Sequence, residues 1–272
     1  CDQSIKNIKD FYEEKNNKKQ NNKYTNIFEN KNIIMIHAES IQTFLLDLKF
    51  NNQEVAPNLN RLAKEGLFFS NFYSQVGMGT SSDTELTLNT SLLPVKSGTA
   101  FVSYCDREYN GIPKILKGKG YYTYSMHANI ETFWNRMVMH ERLGYNKFYS
   151  KTSYTLDESI GLGLSDKSFF KQSVPIMKEI SEKNSKFYAT LITLTNHTPF
   201  SDLEKYGEFD LSMKIKKENE LGVLETITVP YMENTKLGNY MKSSHYADEA
   251  IGEFIEDLDK EGLLNNTVIV IY

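Results

Sequence analysis

Three hydroxyl residues in a row, Thr80, Ser81 and Ser82, stand in the stretch VGMGTSSDTE (76–85) between a glycine turn and two acids, Asp83 and Glu85. Two chemistries suit such a cluster. The hydroxyls can cap a helix whose first turn carries the acids, or one of them can be a nucleophile. At its free pKa an alcohol is a poor nucleophile and needs a base or a metal beside it. No G-x-S-x-G elbow surrounds these residues, so the spacing gives a hydrolase-type triad no support. The acid on offer is Glu39, just past the apolar run NIIMIH. A carboxylate there needs a partner, and a divalent cation is one that would also activate and orient an alcohol. A buried Arg or Lys would serve Glu39 equally well. His37 and Glu39 make an H-x-E, but the P-C-x-x-C partner of zinc deaminases is missing; His37 therefore reads as structural.

The elements that must position these groups follow from the pattern of apolar runs. A buried strand is expected at 32–37 and a helix at 57–66, with Pro near its start and Gly past its end. LFFSNFY (67–73) reads as a strand feeding the glycine turn. Helices are expected at 83–92, stopped by Pro94, and at 111–117, 131–142, 168–182 and 240–262. Further strands are expected at 121–126, 186–195 and 265–272. The polar stretch 201–239 reads as an insertion or flap. Alternating helices and β-branched runs predict an α/β fold with a mostly parallel sheet covered on both faces. Ligands of such sheets sit at the carboxyl ends of strands. His37 and Glu39, the GMGTSSD turn, His127 and Asn196-His197 each follow a predicted strand, so four strand ends deliver polar groups to one edge.

Composition bounds the rest. The 272 residues suffice for one large domain, and a net charge of −4 gives no basic footprint for nucleic acid. No apolar run reaches the roughly 18 residues that cross a bilayer. Two cysteines, Cys1 and Cys105, exclude a disulfide scaffold and a CxxC metal pair. Cys1 reads as a boundary of a longer chain rather than a lipidated first residue. Residues 1–31, rich in Lys and Asn, read as a polar lead-in with one short helix.

IIMIHAES, GMGTSSDTE, MHANIETFWNR and LITLTNHTPF, in that order, resemble the extracellular catalytic domain of lipoteichoic acid synthases, within the sulfatase and alkaline-phosphatase superfamily. The resemblance covers 32–272 and is weakest over 201–239. It implies a three-layer α/β/α sandwich. Position by position, Glu39 matches the family's metal-binding Glu. Ser81 matches its nucleophile and metal ligand, usually a Thr, and Thr80 is the alternative one residue away. His127, Trp134 and Arg136 match residues lining a glycerophosphate pocket, Asn129 stands where an Asp is usual, and His197 matches a pocket His. Arg136 is expected to fork onto phosphate oxygens, and His127 or His197 to donate hydrogen bonds or shuttle a proton. In the family, the strand resembling TVIVIY leads into Gly-Asp-His, which completes the metal site. This sequence stops at Tyr272, so the resemblance implies a truncated, inactive domain that holds Mn2+ or Mg2+ poorly.

The implied reaction transfers glycerophosphate from phosphatidylglycerol, through a glycerophosphoryl-Ser intermediate, to a growing polyglycerolphosphate chain. The parent would be membrane-anchored, with this domain on the extracellular face of a Gram-positive-type cell. Other superfamily activities stay open: phosphoethanolamine transferase, sulfatase or phosphodiesterase. GTSSDTE lacks the Pro and Arg of the sulfatase C/S-x-P-x-R setting. A metal-free module that binds polyglycerolphosphate is the non-enzymatic alternative. His140 and His245 fall on helical stretches and receive no role.

Overall fold

NIIMIH forms β1 (Asn32–His37), and its continuous apolar character is explained by its neighbours on both sides. In this computed structural model, which describes residues 2–272, the chain divides into two units, 1–31 and 32–272. Cys1 lies outside the described residues. The first unit contains α1 (Asp2–Asn17), a helix with no buried residue.

In the second unit, β2 (Lys49–Phe50) and β3 (Gln53–Glu54) form a small hairpin before α2 (Pro57–Glu65). Then come α3 (Ser81–Thr90), α4 (Ala100–Ser103), α5 (Ile112–Lys117), β4 (Tyr122–Met126), α6 (Arg136–Leu143) and β5 (Lys147–Tyr149). A second short hairpin, β6 (Ser159–Ile160) and β7 (Gly163–Leu164), leads into α7 (Asp166–Lys183) and β8 (Phe187–Ile192). The chain continues through β9 (Ser212–Glu218), β10 (Leu224–Pro230), α8 (Lys236–Lys260) and β11 (Thr267–Ile271).

Five strands make the central sheet in the order β11-β1-β8-β4-β5, all parallel. Side chains alternate across it with the strand period of two. Ile34, Ile36, Phe187, Ala189 and Leu191 point into one core with residues of α2, α7 and α8. Met35 and Tyr188 point into the other, with Leu86 of α3, Phe101 of α4 and Met139 and Leu143 of α6. This is the expected α/β/α sandwich.

Several expectations need correction. LFFSNFY is irregular; among the described residues it pairs with no strand, and Phe69 and Tyr73 are 73% and 70% exposed. Aromatic β-propensity records a fit to a half-buried pleated surface, and no such surface receives this segment here. The helix expected at 83–92 starts two residues earlier, so Ser81 is its first residue rather than part of a preceding turn. The helix expected at 131–142 is broken by a 3-10 turn in which Trp134 and Asn135 take left-handed φ values of 55° and 53°. Within 201–239, β9 and β10 pair as an antiparallel hairpin.

Candidate active site

Glu39 sits two residues beyond β1, and its main chain is fixed before its side chain is considered. Its N–H donates to Thr193 Oγ1 at 2.8 Å, and its carbonyl accepts from Asn196 Nδ2 at 3.3 Å. Both partners lie on the loop after β8, the strand beside β1. From the other side, Tyr240 Oη donates to the carbonyl of Ser40 at 2.7 Å. The carboxylate therefore has a defined origin at the carboxyl rim of the sheet.

Ser81 reaches the same place from α3. Its Oγ donates to Glu39 Oε2 at 2.7 Å, across 42 residues of sequence, while Ser40 Oγ donates to Oε1 at 3.1 Å. The turn before it is built around Asp83, whose Oδ2 accepts from the N–H groups of Gly77 and Gly79 at 2.9 and 3.0 Å. A Cβ on Gly79 would lie 2.4 Å from Asp83 Oδ1, so only glycine fits there. Thr80 takes φ 41° and ψ −110°, a backbone state that L side chains rarely adopt. Its hydroxyl is not hydrogen-bonded to Glu39; Ser81 is the residue aimed at the acid. As the first residue of a ten-residue helix, Ser81 also sits where the helix dipole favours negative charge.

Two buried histidines stand at strand ends of the sheet. His37 is buried, with Nε2 3.7 Å from Glu39 Oε2 and Nδ1 without a partner among the described residues. Burial lowers its pKa. His127, also buried, follows β4 and donates from Nδ1 to the carbonyl of Ile192 at 2.8 Å, which leaves Nε2 with its lone pair. Burial, reinforced by the charge of Arg136, pulls its pKa down to about 3. With Nδ1 donating to the Ile192 carbonyl, Nε2 is the atom His127 offers as an acceptor. His197, partly exposed, likewise gives its Nδ1 hydrogen to a carbonyl, that of Thr198, at 2.7 Å. Asn129 accepts from the N–H of Ile130 at 2.8 Å, and Trp134 packs partly buried against the core on the α3 face.

Arg136 departs furthest from expectation. It is 2% exposed, and its Nε and Nη2 both donate to Glu85 Oε1, at 2.9 and 2.8 Å. The fork expected for phosphate is partly given to a carboxylate of this chain. His140, assigned no role above, contacts Glu85 Oε2 through Nε2 at 2.8 Å and Ser125 Oγ through Nδ1 at 2.7 Å. Despite full burial, which alone would raise it, Glu85 is held well below the usual carboxylate range by Arg136 and His140.

A family model described as Sulfatase matches residues 31–272. The chain belongs to the sulfatase family. Among its relatives, lipoteichoic acid synthase 1 of Bacillus subtilis (strain 168) is 38% identical over 260 residues. The lipoteichoic acid synthase of Staphylococcus aureus (strain USA300) is 39% identical over 258 residues. Each alignment covers 93% of this chain and 37% of the relative, so the chain spans little more than a third of those proteins. The crystal structure of the lipoteichoic acid synthase LtaP from Listeria monocytogenes superposes with a TM-score of 0.82 at 31% identity, covering 93% of this chain and 58% of that one.

Members of the sulfatase and alkaline-phosphatase superfamily typically use a divalent metal, and this family member offers part of a site. Glu39 and Ser81 present hard oxygen atoms, the donor type that magnesium and manganese take, and they converge closely enough to share one ion. They fit as part of a shell. Among the described residues no three His, Cys, Asp or Glu side chains gather to complete it.

Three of the groups that hold the site together, Glu85, His140 and Thr193, received no role from the sequence, and Asn196 was placed at the rim without its bond to Glu39. Glu85 was visible in the quoted stretch four residues after Ser81, one helical turn along the same face. Nothing in the sequence pointed to its partner 51 residues away.

Proposed function

We propose that this chain is the catalytic unit of a metal-dependent glycerophosphotransferase that builds polyglycerolphosphate, as in lipoteichoic acid, from phosphatidylglycerol. The observation that carries the reading is the 2.7 Å hydrogen bond from Ser81 Oγ to Glu39 Oε2, at the rim of a sulfatase-family sheet. It is supported by 38–39% identity to lipoteichoic acid synthases across nearly the whole chain.

In this reading Ser81 Oγ attacks the phosphorus of phosphatidylglycerol. An O–P bond forms to Ser81, the bond to the diacylglycerol oxygen breaks, and diacylglycerol departs as an alcohol carrying one proton. The hydrogen that Ser81 Oγ gives up matches the one that the departing diacylglycerol oxygen takes, so the step balances in protons. The terminal hydroxyl of a polyglycerolphosphate chain then attacks the phosphoryl-Ser, and Ser81 regains its hydrogen. His127, neutral with a free Nε2, suits a glycerol hydroxyl as acceptor, and Asn129, Trp134 and His197 would shape the pocket around it. The N-terminus of α3 favours the negative charge that develops on phosphorus-bound oxygens.

A divalent ion, Mn2+ or Mg2+, held through Glu39 and Ser81 would lower the pKa of the attacking alcohol and neutralise phosphate charge. β11 leaves the sheet beside β1, with Ala38 N–H donating to the Tyr272 carbonyl at 2.9 Å. On this reading the working enzyme acts at a membrane surface, on the extracellular face, and no helix among the described residues is long and apolar enough to cross a membrane.

The test is release of diacylglycerol from fluorescent phosphatidylglycerol by the full-length enzyme, with and without a glycerophosphate-bearing acceptor. Acceptor-dependent turnover that is lost with a chelator and restored by Mn2+ supports the transferase. Turnover indifferent to acceptor points to a phosphodiesterase, and no release at all to a binding module.

A further inference from the structure

We propose that Glu85 is a positioning residue for phosphoryl transfer: it aims Arg136 at the substrate phosphate and locks the helix of the nucleophile to the loop that bears Trp134. This rests on the functional reading above and adds to it a residue that contacts no substrate.

Glu85 lies one turn beyond Ser81 on α3, so whatever fixes Glu85 fixes the nucleophile's helix. Its carboxylate, 2% exposed at the side chain, is fully engaged, Oε1 by two nitrogens of Arg136 and Oε2 by His140. His140 in turn meets Ser125 on β4, which ties the cluster to the sheet. Arg136 opens α6 directly after Trp134 and Asn135, two consecutive left-handed residues that only their surroundings can hold. The Asn135 side chain is tethered by donating to the Phe101 carbonyl at 2.9 Å, and Arg136 by Glu85.

The geometry of the pair argues for more than folding. Glu85 takes the Nε edge of the guanidinium, leaving the edge formed by Nη1 and the second Nη2 hydrogen. Among the described residues no hydrogen bond reaches Nη1. An arginine gripped along one edge presents the other in a fixed direction, the arrangement that matches two phosphate oxygens. Through Glu85, one turn along α3 from Ser81, Arg136 is tied to the helix that carries the nucleophile. A buried ion pair kept solely for stability could be replaced by apolar side chains of like volume at little cost.

The test is a double-mutant cycle on turnover of phosphatidylglycerol by the full-length enzyme. Glu85→Gln and Arg136→Gln should each lower kcat/KM by about 100-fold. If Glu85 acts through Arg136, the double variant is no slower than Arg136→Gln alone; losses that multiply overturn the proposal. A second measurement separates positioning from folding. Free guanidinium should restore at least about tenfold of the activity of Arg136→Gly, and should fail to do so in Glu85→Gln/Arg136→Gly. Equal rescue in both backgrounds overturns the proposal even if Glu85→Gln alone does not fold. Absence of wild-type turnover would sink the functional reading instead. Calorimetry with glycerol phosphate then decides the Glu85 question, since Glu85→Gln and Arg136→Gln should weaken binding alike and not cumulatively. Wild-type affinity in Glu85→Gln rejects the inference.

Discussion

Ser81 and Thr80 are adjacent in sequence yet stand in different physical situations. Ser81 opens a helix and donates to Glu39, whereas Thr80 contributes a strained backbone and no bond to the acid. Ser81→Ala should therefore reduce turnover by about a thousandfold or more, with a melting temperature within a few degrees of wild type. Thr80→Gly should keep most of the activity and melt no lower, because glycine relieves the positive φ. The opposite outcome, with Thr80→Gly dead and Ser81→Ala active, would move the nucleophile one residue back. A second residue-scale prediction concerns Asp166, at the start of α7, which accepts from the N–H groups of Leu194 and Thr195 just before the Asn196-His197 corner. Burial pushes its carboxyl up to about 7. A folded-state pKa raised above the unfolded one contributes stability below the unfolded pKa that is lost as pH rises through the folded pKa. The window is thus pH 4 to 7. Across it, Asp166→Asn should gain on wild type by about 1.4 kcal/mol per pH unit, measured by urea unfolding at several pH values. A gap that stays constant with pH would show that the carboxyl does not titrate there.

At the scale of elements, the turn before α3 is the most tightly determined segment near the site. Gly79→Ala would drive a Cβ into Asp83 and to 2.7 Å from Thr99 Oγ1. It should cost about 1–3 kcal/mol in stability while turnover falls further than that loss accounts for, as seen by comparing melting curves with rates at a temperature where both proteins are folded. The turn also illustrates how much could be read from sequence. NIIMIH, YYTYSM and KFYATLITLT announced central strands because burial on both faces demands continuous apolar runs. Their ends then located Glu39, His127 and His197. LFFSNFY misled because aromatic content signals a preference for a pleated surface without saying whether one is available. The break at Trp134 and Asn135 was invisible, since neither residue type announces a left-handed backbone as glycine would. The pairing of Arg136 with Glu85 was illegible because it depends on α3 and α6 packing on one face of the sheet, a tertiary fact.

For the molecule as a whole, the lead-in and the sandwich are separate units, and α1 buries no residue. Removing residues 1–31 should leave the melting temperature of the remainder within about 2 °C, by scanning calorimetry, because α1 buries no side chain. A larger drop would mean that the lead-in is part of the folded domain. Within the sandwich, the site belongs to no single element: Glu39 comes from the end of β1, Ser81 from α3, His127 from β4 and the 193–197 segment from β8. The main chain around Glu39 is held by Thr193, Asn196 and Tyr240, none of which is a nucleophile, an acid or a phosphate ligand. Trimming one of these anchors would leave every reacting group present while letting the acid wander. Variants trimmed at 193, 196 or 240 should thus turn over normally in the cold and lose activity reversibly on warming, in assays run across temperature, whereas changes at 39 or 81 should be silent at no temperature.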